Sequence, residues 1–251
     1  GRVSANPTNG GTVTGGGTFQ QGQSCTVIAT PAANYTFTNW TENGNVVSTN
    51  ASYTFTVNAN RNLVANFTYV PPTYTINVSA NPTNGGNVAG GGTFQQGQSC
   101  TVTASANTGY AFANWTENGN VVSTQANYTF TVNANRTLVA NFQMQSYTIT
   151  ATANPANGGT VSGGGTFNYG QSCTLTATPA TGYNFVRSTK NGQQVSTNAT
   201  YTFSVTESAA FVAQFQLQSY AIFVSAYPVE GGITTGGGSY LYGDNLNVQA
   251  T

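Results

Sequence analysis

The sequence predicts an all-β protein that is a tandem array of small β-rich modules, each about 73 residues long. Three observations predict it. Single cysteines and Asn-Pro pairs recur at steps of 75 and then 73 residues along the 251-residue chain. Apolar residues alternate with polar residues in short runs, which is typical of half-buried strands. The 30 glycines and abundant Thr, Asn and Ser favour strands and turns over helices.

The repeat divides the chain into four modules. Cys25 recurs at Cys100 and Cys173, and a period of this size indicates an array rather than one large domain. The predicted modules are module 1 (1–69), module 2 (73–144), module 3 (146–217) and module 4 (219–251). We expect module 1 to lack its first strand and module 4 to be truncated. Beads on short linkers are favoured, and a continuous solenoid with a shorter coil is the alternative.

Module 2 illustrates the elements in order. Alternation predicts six or seven short strands and no helix, over residues 74–80, from 88, 100–104, 110–117, 120–123, 128–132 and 138–142. Asn118-Gly119 lies between two of these runs and is a strong signal for a two-residue hairpin. The triplet Gly90-Gly91-Gly92 predicts a bulge or a sharp bend. A phosphate-binding loop is disfavoured there, because no Lys-Ser/Thr and no helix follows.

The composition excludes several classes of function. Charged residues make up 4% of the chain, against about 25% in an ordinary domain. Five basic residues cannot form a patch that neutralises nucleic-acid phosphates, and no apolar run is long enough for membrane insertion. No histidine is present, which removes the usual general base. The carboxylates of Asp244, Glu42, Glu117, Glu207 and Glu230 are dispersed, so we expect no metal site, no cofactor and no catalytic residues.

The cysteines are interpreted as core residues. Each of the three begins an alternating run such as Cys-Val-Ala, and Leu246 stands at the equivalent position of module 4. Leucine can replace a buried thiol in packing but not in chemistry. The alternative is a redox or nucleophilic thiol.

The aromatic residues are the candidates for a contact site. Trp40 follows Tyr35, and Trp115 follows Tyr110 at the same spacing. Packing in a core or between modules is the favoured role of the tryptophans. On a regular strand, however, Trp115 would face away from Tyr110, which leaves an exposed surface for a sugar or a protein partner open. Module 3 has Ser188 at the tryptophan position, which weighs against an essential role in every module.

The recurring motifs resemble a known bacterial repeat. In module 3 these are Ala153-Asn154-Pro155, Gly158-Gly159-Thr160-Val161, Gly163–Phe167, Thr176–Pro179, Gly182–Phe185, Tyr201-Thr202-Phe203 and Ala213-Gln214-Phe215. Together they resemble the divergent internalin B-type repeat, related to the Listeria–Bacteroides repeat. The resemblance implies a β-grasp-like fold, no catalytic residues, and tandem modules in secreted or surface-anchored bacterial proteins.

These observations predict a non-enzymatic, extracellular or cell-surface region that acts as a spacer, a stalk or an adhesive segment. The alternative is a module that binds carbohydrate or protein through Trp40, Trp115, Tyr35 and Tyr110. The expected partners are neighbouring repeat modules, and a glycan or a host or cell-surface protein in the alternative. Neither nucleic acid nor a membrane is expected as a partner.

Overall fold

The computed structural model describes residues 1–251 and is all-β, as the sequence predicts. It has 27 strands and two short 3₁₀ turns, Ala156–Gly158 and Val229–Gly231. No helix in it has the length and apolar character needed to cross a membrane. No sheet contains strands from two of the predicted modules.

The strands recur in the same order in modules 1 to 3, except that module 1 has no counterpart of the short third strand of the other two. Module 1 has β1 (Arg2–Asn6), β2 (Gly11–Thr14), β3 (Ser24–Pro31), β4 (Tyr35–Glu42), β5 (Asn45–Ser48), β6 (Ser52–Thr56) and β7 (Asn62–Tyr69). Module 2 has β8 (Thr73–Asn81), β9 (Gly86–Ala89), β10 (Gly92–Gln95), β11 (Ser99–Ala106), β12 (Tyr110–Glu117), β13 (Asn120–Ser123), β14 (Asn127–Thr131) and β15 (Arg136–Met144). Module 3 has β16 (Ser146–Asn154), β17 (Gly159–Ser162), β18 (Gly165–Asn168), β19 (Ser172–Pro179), β20 (Tyr183–Lys190), β21 (Gln193–Ser196), β22 (Thr200–Ser204) and β23 (Ala209–Leu217).

Each complete module consists of two sheets. In module 2 the five-stranded sheet has the order β10-β8-β15-β12-β13, and the three-stranded sheet has the order β14-β11-β9. The central pair of the larger sheet, β8 and β15, is parallel, whereas its other pairs are antiparallel. The apolar sides of the strands pack together because each strand alternates buried and exposed residues.

The glycine triplet moves the chain from one sheet to the other. It links β9 in the smaller sheet to β10 in the larger one. Gly90 has φ +94°, and a Cβ there would lie 2.1 Å from the carbonyl oxygen of Thr101, so only glycine fits. The predicted sharp bend is therefore confirmed. The count of six or seven strands is wrong, because the bend starts an eighth strand, β10.

The predicted hairpin is confirmed in the same module. Asn118 has φ 50° and Gly119 has φ 81°. Two successive left-handed residues define the tight turn that matches the twist of its flanking strands. The turn joins β12 to β13, which pair antiparallel across it.

Modules 1 and 4 differ from the central two. The strand expected to be missing from module 1 is present as β1, shortened to five residues and parallel to β7. That expectation was wrong, because five residues suffice to pair with β7. Module 4 has β24 (Ser219–Ile222), β25 (Thr234–Thr235), β26 (Gly238–Leu241) and β27 (Gln249–Ala250). These strands form two separate pairs, and the module contains no buried residue.

Candidate functional site

A β-bulge decides where the tryptophans lie. Strand β12 pairs with β15 from Tyr110 to Phe112, and the register then shifts before Asn114. The extra residue, Ala113, reverses the alternation of the strand. Trp115 therefore faces the same core as Phe112, with ring centroids 6.1 Å apart. Module 1 has the same bulge between Phe37 and Asn39.

Both tryptophans are completely buried. Trp40 and Trp115 have 0% exposed surface. Each indole Nε1–H donates a hydrogen bond to a backbone carbonyl, that of Ala51 at 3.2 Å and that of Ala126 at 3.1 Å. A ring without solvent exposure cannot stack on a sugar, so the hypothesis of a tryptophan contact surface is wrong, and packing is their role.

The two candidate tyrosines are the first residues of the strands that carry the tryptophans, β4 and β12. Tyr35 and Tyr110 are half-buried. Tyr35 is paired with Tyr69 on β7, and the two rings meet edge to face with centroids 5.3 Å apart. In module 2 the residue opposite Tyr110 is Met144. Module 1 therefore presents an aromatic pair where module 2 presents a tyrosine beside a thioether.

The cysteines are core residues, as the alternation predicts. Cys25, Cys100 and Cys173 are free thiols, none more than 4% exposed. The Cys100 thiol donates to the carbonyl oxygen of Gly90 at 3.3 Å. Burial raises the pKa of the Cys100 and Cys173 thiols. A raised pKa disfavours the thiolate, which is the nucleophilic form.

The structure contains an arginine cluster that links the two sheets of a module and that the sequence did not predict. The Arg136 guanidinium on β15 donates to both carboxylate oxygens of Glu117 on β12, at 2.7–3.1 Å. It also donates to Tyr128 Oη at 3.3 Å and lies 4.4 Å from the ring centroid of Phe130, both on β14. These hydrogen bonds, with desolvation opposing them, lower the pKa of the Glu117 carboxyl and raise that of Arg136.

Module 1 repeats this cluster and module 3 replaces it. Arg61 pairs with Glu42 in module 1, whereas module 3 has Ala209 and Lys190 at the two equivalent positions. Lys190 pairs instead with Glu207. The joint replacement of both partners is the sequence signal that could have identified the pair. The cluster stabilises the sheet-to-sheet contact, and no group of three metal-ligating side chains lies at it or elsewhere.

The separate sheets and the recurring strands define the class of protein: a tandem array of all-β repeat units, each with its own sheets. The chain belongs to the family described as the divergent InlB B-repeat domain. That family's sequence profile matches residues 2–71, 76–146 and 148–219. The resemblance inferred from the recurring motifs is thereby confirmed.

Comparison with other proteins adds little about activity. No curated protein matches the sequence. Among solved structures, the Bacillus anthracis TIE protein aligns with 80% of this chain at 10% identity and a TM-score of 0.33. The aligned part is 44% of that protein, so this chain spans less than half of its length.

Proposed function

We propose that the chain is a non-enzymatic, extracellular repeat region of a bacterial protein, where it acts as a spacer that holds other parts of that protein apart. Membership of the divergent InlB B-repeat family supports a surface repeat region. The spacer role is supported by one observation, the direction of the first and last strands of each module.

The first and last strands of a module are parallel neighbours. In module 2, Ile76 on β8 lies opposite Arg136 on β15. The chain enters the sheet at Thr73, three residues before Ile76, and leaves it at Met144, eight residues after Arg136, so entry and exit are about eleven residues apart along the strands. At about 3.3 Å per residue, each module advances the chain by roughly 35 Å. Antiparallel first and last strands would instead return the chain to its starting end.

The same arrangement recurs in the neighbouring modules. β1 is parallel to β7, and β16 is parallel to β23. A single residue, Gln145, separates β15 from β16. Successive advances therefore add, and the complete modules give an array on the order of 100 Å long.

Small-angle X-ray scattering of the whole chain tests the spacer role. A compact protein of this length has a radius of gyration of about 18 Å, whereas a rod on the order of 100 Å long has one of roughly 30 Å. We expect the larger value. Inserting a second copy of residues 73–145 serves as a length control and should lengthen the particle by about 35 Å. A compact particle, or one that does not lengthen, would refute the proposal.

A second candidate function is binding of a glycan or a protein by the tyrosine pair of module 1. The specific observation is the edge-to-face pair of Tyr35 and Tyr69, with Tyr69 49% exposed. Partly exposed aromatic rings are enriched at interfaces. A glycan array tests it with the Tyr69→Ala variant. Met144→Ala, at the equivalent and equally exposed position of module 2, is the matched control. Binding that survives Tyr69→Ala, or no binding at all, would reject this function.

A further inference from the structure

The connections between modules are of two kinds. Gln145 bridges modules 2 and 3: its N–H donates to the carbonyl oxygen of Gly109 at 2.8 Å, and its own carbonyl accepts from Tyr169 N–H at 2.9 Å. Gln218 makes the equivalent bonds to Gly182 and Tyr242. One linker residue thus holds both neighbours.

A tyrosine ring lies against a glycine at both of these connections. A Cβ on Gly109 would lie 2.4 Å from Cδ1 of Tyr169, and a Cβ on Gly182 would lie 2.1 Å from Cδ1 of Tyr242. Both glycines are buried. A side chain at either glycine would collide with the tyrosine ring, so only glycine allows this contact. Each tyrosine of the following module therefore packs directly on a glycine of the preceding module.

The tyrosine is held in place by its own module. The Tyr169 ring meets the ring of Tyr147 on β16 edge to face, with centroids 6.5 Å apart. The Tyr147 hydroxyl donates to Oε1 of Gln145 at 3.2 Å. Tyr220 makes the same bond to Gln218. The contact tyrosine is therefore packed against Tyr147 of its own module as well as against the glycine.

The connection between modules 1 and 2 keeps two backbone hydrogen bonds but lacks the glycine–tyrosine contact and the single bridging residue. Asn34 and Gln96 stand at the glycine and tyrosine positions, and both are exposed. The two backbone bonds are made by different linker residues. Val70 N–H donates to the Asn34 carbonyl at 2.7 Å, and the Pro72 carbonyl accepts from Gln96 N–H at 2.8 Å. Pro71 lies between them, so no single residue bridges the modules.

We infer that the Gly–Tyr joint, defined as Gly109 with Tyr169 and Gly182 with Tyr242, is a module-to-module docking surface whose partner is the next repeat of the same kind. It sets a fixed angle between modules 2 and 3 and between modules 3 and 4. The connection at Asn34 and Gln96 has no such surface and is the point where the array bends. Domain motion is the default wherever an interface is small. This inference is independent of the spacer role, since a compact array would still contain two kinds of connection.

Distances between spin labels on the full chain, measured by double electron–electron resonance, test the inference. Spin labels are attached in pairs at Val46→Cys, Val121→Cys and Gln194→Cys, which are equivalent exposed positions of modules 1, 2 and 3. The three native cysteines are first changed to valine. We expect the 121–194 distance distribution to be narrow and the 46–121 distribution to be about twofold wider, as expected for an unrestrained domain pair.

The variants exchange residues between the two kinds of connection. Tyr169→Gln introduces the residue of module 2, and Gly109→Asn introduces that of module 1, which already adopts a left-handed φ of 61° at Asn34. Each should widen the 121–194 distribution about twofold while the 46–121 distribution stays unchanged. Tyr169→Phe keeps the ring and should stay narrow, and Gln96→Ala is the neutral control. Equal widths in the unmodified chain, or an unchanged width in folded Tyr169→Gln, would overturn the inference.

Discussion

Modules 2 and 3 share one fold but not one core. Module 2 has a single cluster of nine buried apolar residues that includes Trp115. Module 3 has Ser188 at that position, and its core is divided into clusters of five and three buried residues. The comparison teaches that the tryptophan joins the two ends of a module's core, and that the fold persists when the join is lost.

Module 3 also replaces the arginine cluster with an aromatic one. In module 3, Phe211 stands at the position of Leu138. The ring centroids of Phe211 and Phe203 are 4.8 Å apart. In module 2 the equivalent ring, Phe130, is covered by the Arg136 guanidinium. The same aromatic surface is therefore covered by a cation in one module and by a ring in the next.

The largest effect is expected when the core of module 2 is divided like that of module 3. Trp115→Ala removes the residue that joins its two ends, and we expect it to lower the free energy of unfolding of module 2 by about 3–5 kcal/mol. Hydrogen exchange of the β12 and β15 amides in urea measures it. Trp40 is then the only tryptophan, so tryptophan fluorescence serves as a control that module 1 is unaltered. A loss below about 1 kcal/mol would contradict the joining role.

A smaller effect is expected from the arginine cluster. Arg136→Ala removes a bidentate ion pair and a cation–π contact, so we expect module 2 to lose about 1–2 kcal/mol of unfolding free energy. Arg187→Ala is the matched control, because Arg187 on β20 is exposed and makes no ion pair. Urea unfolding followed by hydrogen exchange measures both. Equal losses in the two variants would show that the cluster contributes nothing specific.

The pH dependence should distinguish the same two modules. The hydrogen bonds from Arg136 lower the folded-state pKa of Glu117 from its ordinary value of 4.5. Their stabilisation is complete above pH 4.5 and is lost as the pH falls through the folded-state pKa. Module 3 should lose less, since its carboxylate, Glu207, is 65% exposed. Urea midpoints measured above and below pH 4.5 test this. If Arg136→Ala loses as much stability in acid as the unmodified chain does, other groups cause that loss.

The smallest effect is expected at the thiols, where the two modules agree. Cys100 and Cys173 are buried with raised pKa values, so neither should react with a thiol reagent at neutral pH until its module opens. In the Trp115→Ala chain, Cys100 should become reactive at a lower urea concentration than Cys173. Mass spectrometry of the labelled peptides gives the order, and simultaneous labelling would indicate that the modules open together.

Local chemistry was sufficient to predict much of the fold. The alternation around Cys100 predicted a half-buried strand, and the dipeptide Asn118-Gly119 predicted a hairpin. Both depend on neighbours within a few residues. The recurrence of these signals also predicted the tandem array, because repeated segments of one composition adopt one local structure. The division into separate modules at the stated boundaries stays a prediction.

The location of the contact residues could not be predicted in this way. Alternation alone predicted that Trp115 and Phe112 lie on opposite faces of their strand. The extra residue, Ala113, places both on the same face. A bulge is defined by the partner strand, so residues near it in sequence do not disclose it. The proposed contact site is consequently limited to Tyr35 and Tyr69 of module 1.

The sequence by itself determined which segments are strands, where the tight turns lie and that the unit repeats, because these follow from side-chain period and backbone preference. Only the tertiary structure decided which way the tryptophans face, how Arg136 joins the two sheets and which modules meet through a Gly–Tyr joint. Each of these depends on atoms brought together from distant parts of the chain. Gly109 and Tyr169 are 60 residues apart in the sequence, and only folding places one against the other.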